Sequence, residues 1–350
     1  MHMADALISP VVGGAMWAAT AGAAAYSVKK VQADLDEKKI PLMGVMGAFV
    51  FATQMINFTI PATGSSGHIG GGLLLAIILG PYAGFLTMAS ILSIQALFFA
   101  DGGLLALGSN IFNLGFYTCF VAYPLVYRWI TSKGYSQGRL LWGSILAAVI
   151  GLQIGSFSVV LQTIISGKIE LPFGTFAMLM QPIHLAIGLV EGLITATVVG
   201  FIWKARPEIV ERAASGKPLG SVSLRKVVAG LAVAAIMFGG IFSWFASRHP
   251  DGLEWSMLNA SGKEELNASG GIYETLASVQ EKIAFLPDYG FNNQEQKVIE
   301  ETKETGGFWA GIDLGTSASG LIGGLMTLLL AGITGLVIYF VKKGKRQDII

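Results

Sequence analysis

The chain is organised by apolar segments long enough to cross a bilayer. A helix needs about 20 such residues to span a hydrocarbon core about 30 Å thick. Stretches of that kind run from about 10 to 28, 41 to 60, 109 to 129, 140 to 165, 176 to 203, 227 to 245 and 315 to 341. The apolar run 69–99 is too long for one helix, and Gly80-Pro81 interrupts it. A proline inside a helix removes a donor and clashes with the preceding turn. The run therefore reads as a short helix followed by a full one. Nine helices are predicted, seven before residue 205 and two after it. Lipid offers no partner to an open backbone, so the expected fold class is an all-α polytopic membrane protein.

Composition and charge agree. Apolar residues make up 53% and charged residues 13%, about half the charged share of an ordinary soluble domain. The net charge of +1 excludes a polybasic nucleic-acid binder and an acidic disordered chain. One cysteine, Cys119, excludes a disulfide framework, a cysteine-based zinc site and an iron–sulfur cluster. With the N-terminus outside, loops 29–40, 128–139, 204–226 and 342–350 fall inside and hold 17 of the 23 Lys and Arg residues, as the positive-inside rule requires. No Lys or Arg precedes Lys29. A signal peptide needs early positive charge, so the N-terminus is expected to be exported and retained. The charged segment 206–226 reads as a cytoplasmic linker. It separates a seven-helix domain, 1–205, from a two-helix domain, 227–350, whose polar loop 248–314 carries 12 acidic and 5 basic residues and is expected outside the cell.

No P-loop is present: the Gly-Lys pairs are followed by Ile169, Pro218, Glu264 and Arg346, where a nucleotide site needs Ser or Thr. Metal chemistry has better candidates. His68 ends the glycine-rich stretch Gly64-Ser-Ser-Gly-His68, where the backbone can turn sharply beside a ligand. A hydrogen-bonded loop histidine is the alternative. The chain opens Met1-His2. The amine of Met1, the ionised amide nitrogen of His2 and the His2 imidazole can form fused chelate rings, and His68 can supply a fourth nitrogen. Square-planar nitrogen coordination suits Ni(II) or Cu(II), whereas zinc prefers a tetrahedron. A chance Met-His pair is the alternative here. His184 and Glu191, seven residues apart, fall on one helix face and are expected to be a satisfied buried pair.

The opening Met1-His2-Met3-Ala4-Asp5, Gly64-Ser-Ser-Gly-His68, Leu79-Gly-Pro81, the stretch from Gln95 to Gly103 and the stretch from Leu107 to Asn113 resemble the CbiM/NikM family. That family comprises the nickel/cobalt-specific substrate-binding components of energy-coupling-factor (ECF) ABC transporters. The resemblance covers about residues 1–205. Ala4-Asp5-Ala6 departs from an expected Pro-Asp-Gly without touching the proposed ligands. Pro250-Asp-Gly-Leu-Glu254 resembles the small PDGLE-motif accessory component of the same transporters, so the chain resembles a NikMN-type fusion. Asp251 and Glu254 attract a cation or cap a helix.

The resemblance implies a non-enzymatic subunit of a prokaryotic inner membrane that carries Ni²⁺ or Co²⁺. Its partners would be a transmembrane coupling subunit and a pair of ABC ATPases that hydrolyse the ATP. It implies Met1, His2 and His68 as metal ligands. Ser65, Ser66, Gln95, Asp101 and Asn110 stand around them, with interhelical hydrogen bonding as the alternative role for Gln95, Asp101 and Asn110. Ala15, Ala19 and Ala23, a small-residue stripe on the first helix, are implied at the coupling-subunit interface, with packing inside the chain as the alternative. Two other functions remain open: cobalt uptake linked to cobalamin synthesis, and an autonomous ion-coupled metal permease.

Overall fold

The computed structural model describes residues 2–34, 37–168, 172–262, 270–291 and 313–347. Helices dominate. α1 (Pro10–Asp34) and α2 (Lys39–Gln54) lead into a short antiparallel hairpin, β1 (Phe58–Ile60) and β2 (Ser65–Gly67), paired Phe58 to Gly67. α3 (Gly72–Leu79) and α4 (Pro81–Phe98) meet at Gly80. α5, over residues 107–131, is α-helical at Leu107–Ile111 and Arg128–Thr131 and π-helical at Phe112–Tyr127 between them. α6 (Gln137–Ser166) and α7 (Phe173–Ala205) are the long pair that follows. The remaining helices are α8 (Pro207–Ser215), α9 (Arg225–Gly240), α10 (Gly252–Ser261), α11 (Ile272–Ile283) and α12 (Leu314–Gln347).

The core is built on the two helices with least polar surface. Every residue of α3 is buried, inside a ring of α2, α4, α5, α6, α7 and α8. α2 is buried almost throughout, because α12 from the C-terminal half packs along it. Small residues allow that approach. A Cβ on Gly44 would lie 2.9 Å from the Leu328 carbonyl oxygen, and one on Gly47 would lie 3.1 Å from the Thr327 methyl. Such close main-chain contact is how helices gain van der Waals energy where lipid removes the hydrophobic drive.

Helices stand at all nine expected positions, but the expected lengths need correction. Among the described residues, five helices, Pro10–Ala33, Pro81–Phe98, Gln137–Ser166, Phe173–Ala205 and Leu314–Lys343, are long and apolar enough to cross a membrane. α3 has eight residues and rises about 12 Å, too little to span. The second helix stops at Gln54 rather than near 60, because the chain leaves it to form the hairpin. The segment read as a linker contains α8, which buries Ile209 and Val210 and packs against α3. The polar loop contains α10 and α11, which fold back over the N-terminal half.

The two apolar C-terminal helices, α9 and α12, cross at glycine. A Cβ on Gly239 would meet the Gly320 main chain at 3.0 Å. Gly320→Leu is therefore expected to destabilise the chain by about 1–3 kcal/mol through overpacking. Gly332→Ala, on the same helix where nothing lies within 4 Å, should leave the thermal midpoint in detergent unchanged or slightly raised. Equal midpoints for both variants would contradict this crossing.

Candidate functional site

The first residues of the chain are threaded into one end of the bundle. Met3 is fully buried, so both its main-chain groups need partners. Its amide donates to Asn110 Oδ1 at 2.8 Å, and its carbonyl accepts from Asn110 Nδ2 at 3.2 Å and from the Gly103 amide at 3.0 Å. Two residues on, Asp5 Oδ1 accepts the Ala106 amide at 2.9 Å. These bonds fix the direction of His2. Met1 lies outside the described residues.

His68 is positioned from a different direction. It follows β2, and the next turn passes through Gly71 at φ 79, a left-handed conformation that glycine adopts without strain. The Gly70 and Gly71 amides donate to the two carboxylate oxygens of Glu191 on α7, at 2.7 and 3.0 Å. Gln54 Nε2 donates to the Gly70 carbonyl at 2.8 Å, and Gln54 Oε1 accepts from Gln95 Nε2 at 3.0 Å. His68 Nδ1 lies 3.0 Å from the Ile69 carbonyl. That contact requires the proton on Nδ1 and leaves the Nε2 lone pair for a ligand.

The two histidine rings stack, with centroids 5.2 Å apart and planes 11° apart. His2 Nδ1 lies 3.1 Å from Asp101 Oδ1. Tyr289, from the C-terminal half, donates its hydroxyl to Asp101 Oδ2 at 2.5 Å. His2 Nε2 is buried without a hydrogen-bond partner among the described residues. Burial, reinforced by positive charge that includes His2, pulls the His68 imidazole down to about 4, so that ring stays neutral and ligand-competent at ordinary pH. Burial pushes the Asp101 carboxyl upward, but His2 and the Tyr289 hydroxyl outweigh it and hold the group at about 2.

A cavity of about 630 Å³ surrounds this cluster, lined by His2, His68 and Asp101 and, from the C-terminal half, by Asp251, Glu254 and Tyr289. The C-terminal half is thus one wall of the site. The Ser66 amide donates to the Pro250 carbonyl at 2.8 Å, the Ser66 hydroxyl to the His249 carbonyl at 2.7 Å, and the Ser247 amide to the Asn57 carbonyl at 2.7 Å. Pro250-Asp-Gly-Leu-Glu254 is explained almost atom by atom. Asp251 Oδ1 accepts the Leu253 and Glu254 amides at 2.7 and 2.9 Å, and Glu254 Oε2 accepts the Asp251 amide at 2.8 Å. That capping box starts α10. A Cβ on Gly252 would lie 2.6 Å from Ile183 Cγ2 on α7, and Leu253 is buried. Helix capping, one of the two roles left open for Asp251 and Glu254, is made by these hydrogen bonds. Both also face the cavity. Burial, then the charge on Asp251, pushes the Glu254 carboxyl up to about 7.

The residues expected from sequence separate into groups. His2, His68 and Asp101 converge, and Asn110 and Gln95 act one bond behind them. Ser65 and Ser66 serve the hairpin and its contact with the C-terminal half. Ala15 and Ala19 lie exposed on the outer face of α1, with Ala23 half-buried. His184 and Glu191 are not the expected satisfied pair. Glu191 holds the glycine turn, while His184 Nδ1 bonds the Met180 carbonyl at 2.8 Å and its Nε2 has no partner among the described residues. Tyr289 and Gln54 had no signal in the sequence, since neither belongs to a motif. Among the described residues, no three His, Cys, Asp or Glu side chains gather closely enough to hold a metal ion.

Comparison with known proteins places this geometry. Residues 2–209 match the family model described as the cobalt uptake substrate-specific transmembrane region, and residues 225–340 match the PDGLE domain. A putative fused nickel transport protein NikMN of Archaeoglobus fulgidus is 38% identical over 67% of this chain and 76% of its own length. A probable fused nickel transport protein LarMN of Lactiplantibacillus plantarum is 31% identical over 59% of this chain and 66% of its own length. A crystal structure of a transition metal transporter, 32% identical, superposes with a TM-score of 0.52 over 59% of this chain and 93% of that one.

Glu191→Ala would leave two buried amides without their acceptor. The expected cost is about 2–5 kcal/mol, read as a fall in thermal midpoint together with faster hydrogen exchange at Gly70 and Gly71. Glu191→Gln, which keeps one acceptor oxygen, should lose less. Unchanged exchange in Glu191→Ala would remove Glu191 from its role beneath His68.

Proposed function

The chain belongs to the family of cobalt uptake substrate-specific transmembrane regions and carries a PDGLE domain behind it, and on that premise we propose that it captures Ni²⁺ outside the cell for ATP-driven uptake. It is a membrane transport protein of the nickel and cobalt class, not an enzyme. The observation that carries the finer reading is the stacked pair His2 and His68 at 5.2 Å in a shared cavity. The ion takes the Met1 amine, the His2 amide nitrogen, the His2 imidazole and His68 in a near-planar set. Side chains alone do not gather into a metal site among the described residues, so backbone nitrogens are needed to complete one. Fused chelate rings with the His2 amide can close only through Nδ1, the atom that contacts Asp101 in the structure. Ni²⁺ therefore replaces the Asp101 hydrogen bond at Nδ1, and the Asp101 carboxylate remains beside the ion as a balancing charge. Binding strips protons from the amine and one amide, so affinity rises with pH.

Nickel is favoured because both fused relatives described above are named as nickel transport proteins. Cobalt is the second reading, favoured by the description of the family model that matches residues 2–209. The resemblance to ECF transporters supplies the rest. Residues 1–205 form the substrate-binding domain, 206–226 a cytoplasmic linker and 227–350 the accessory domain, in an inner membrane with the N-terminus outside. A coupling subunit meets the exposed Ala15 and Ala19 face of α1, and a pair of ABC ATPases drives release inside.

Two experiments test this. One residue added before Met1 moves the amine out of its five-membered chelate ring, so Ni²⁺ affinity should fall at least about tenfold, comparable to the loss of a good ligand contact and to the effect of His2→Ala. Undiminished affinity in the extended protein would show that the terminus is not a ligand. In proteoliposomes the chain alone should bind Ni²⁺ without concentrating it. Coupling subunit and ATPases should add ATP-dependent uptake that His68→Ala abolishes while the complex still assembles. Strong accumulation by the chain alone would replace this reading with that of an ion-coupled permease.

A further inference from the structure

A second cavity, of about 430 Å³, opens at the end of the bundle away from the histidines, among α1, α2, α4, α5 and α8. Lys30, Lys39 and Arg128 line it from three helices, and no Asp or Glu is among its described lining residues. The first turn of α4, Pro81 to Ala83, also lines it, and no side chain caps that helix. An uncapped helix start presents amide donors and the positive end of the helix dipole, which favours an anion. Tyr123 lines the same cavity. It is 1% exposed, and its hydroxyl has no hydrogen-bond partner among the described residues. A buried hydroxyl left unsatisfied is costly, and an acceptor oxygen in the cavity would satisfy it. Val31, Leu79 and Phe120 form an apolar flank.

We propose that this cavity binds a phosphate group, carried by an anionic phospholipid headgroup or by free phosphate. Arg128 offers a planar fork of donors that matches phosphate oxygens. Lys30 adds a point charge, and the Tyr123 hydroxyl is a further donor. The surroundings match headgroup depth. Trp129, next to Arg128, is 75% exposed, and Lys30 lies 5.4 Å over the Tyr26 ring. Aromatic and cationic residues of this kind gather at the membrane–water boundary. Basic pockets between membrane helices recognise lipid headgroups by the same charges. The apolar flank then lies against the glyceride portion of the lipid.

The test uses the full chain in detergent and native mass spectrometry with dioleoyl-phosphatidylglycerol or dioleoyl-phosphatidylcholine. A parallel arm compares thermal midpoints in sodium phosphate and in sodium chloride at equal ionic strength. The anionic lipid should be retained at least about fivefold over the zwitterionic one, the scale of a few charge-assisted hydrogen bonds. Lys30→Gln with Arg128→Gln should remove that preference. Tyr123→Phe changes no charge, so general surface attraction is preserved, yet retention should fall about two- to threefold with the lost hydrogen bond. Stabilisation by phosphate without lipid preference would support the same site with a soluble anion. Ni²⁺ binding at the far end reports that the variants are folded. Equal retention of both lipids together with no effect of phosphate, or full retention in folded Tyr123→Phe and in the double variant, would overturn the proposal.

Discussion

The main chain of Met3 is paired on both sides by one side chain, Asn110, and capped again by the Gly103 amide. A chain terminus normally frays, because nothing repays the entropy of ordering it. Here buried peptide groups would go unsatisfied if it did. The segment from Met3 to Asp5 is thereby a fixed element of the bundle, and the position of His2 follows from it. α5 starts where it does so that Asn110 faces Met3, and the 100–106 turn carries Asp101 back to the His2 ring. Without that pairing, two histidines 66 positions apart in the chain would have no reason to stack.

The C-terminal half completes the site by the same accounting. Its hydrogen bonds to the N-terminal half include those from the Ser66 amide and hydroxyl to the Pro250 and His249 carbonyls, from the Ser247 amide to the Asn57 carbonyl and from Tyr289 to Asp101. The PDGLE motif then has a physical meaning. Asp251 and Glu254 close a capping box, Gly252 lets the turn press on α7, and Leu253 fills the apolar gap. These residues fix a wall of the cavity, while their carboxylates add negative charge to a space suited to a cation. Packing of α12 along α2 ties that wall to the core, so the two halves share one interior.

Much of this was legible from the sequence. Apolar length placed all nine helices, because the requirement that lipid imposes is local and repetitive. The residue pair His2 and His68 and the supporting Asp101, Asn110 and Gln95 came from motifs. What was hidden depended on tertiary contact. α3 ends at the Gly80-Pro81 break read from the sequence, but the packing of α8 against it was hidden, since no local rule in the charged 206–226 segment announces it. Glu191 was singled out as a buried ionisable group, but its partners are two backbone amides that carry no sequence identity. Tyr289 sits in a polar loop with ordinary composition, and its role exists only because the loop folds over Asp101. Ser65 and Ser66, close to His68 in sequence, turn out to serve the hairpin: Ser65 bonds within it, and Ser66 reaches the His249 and Pro250 carbonyls.

The central claim is that backbone nitrogens and two imidazoles, not carboxylates, take the metal. X-ray absorption on the Ni²⁺-loaded full chain measures this directly. The account predicts a four-coordinate planar spectrum fitted by nitrogen scatterers, with outer-shell features of two imidazoles and a diamagnetic ion. A six-coordinate, oxygen-rich spectrum would contradict it and would assign the ion to the carboxylates that line the cavity, Asp101, Asp251 and Glu254, instead.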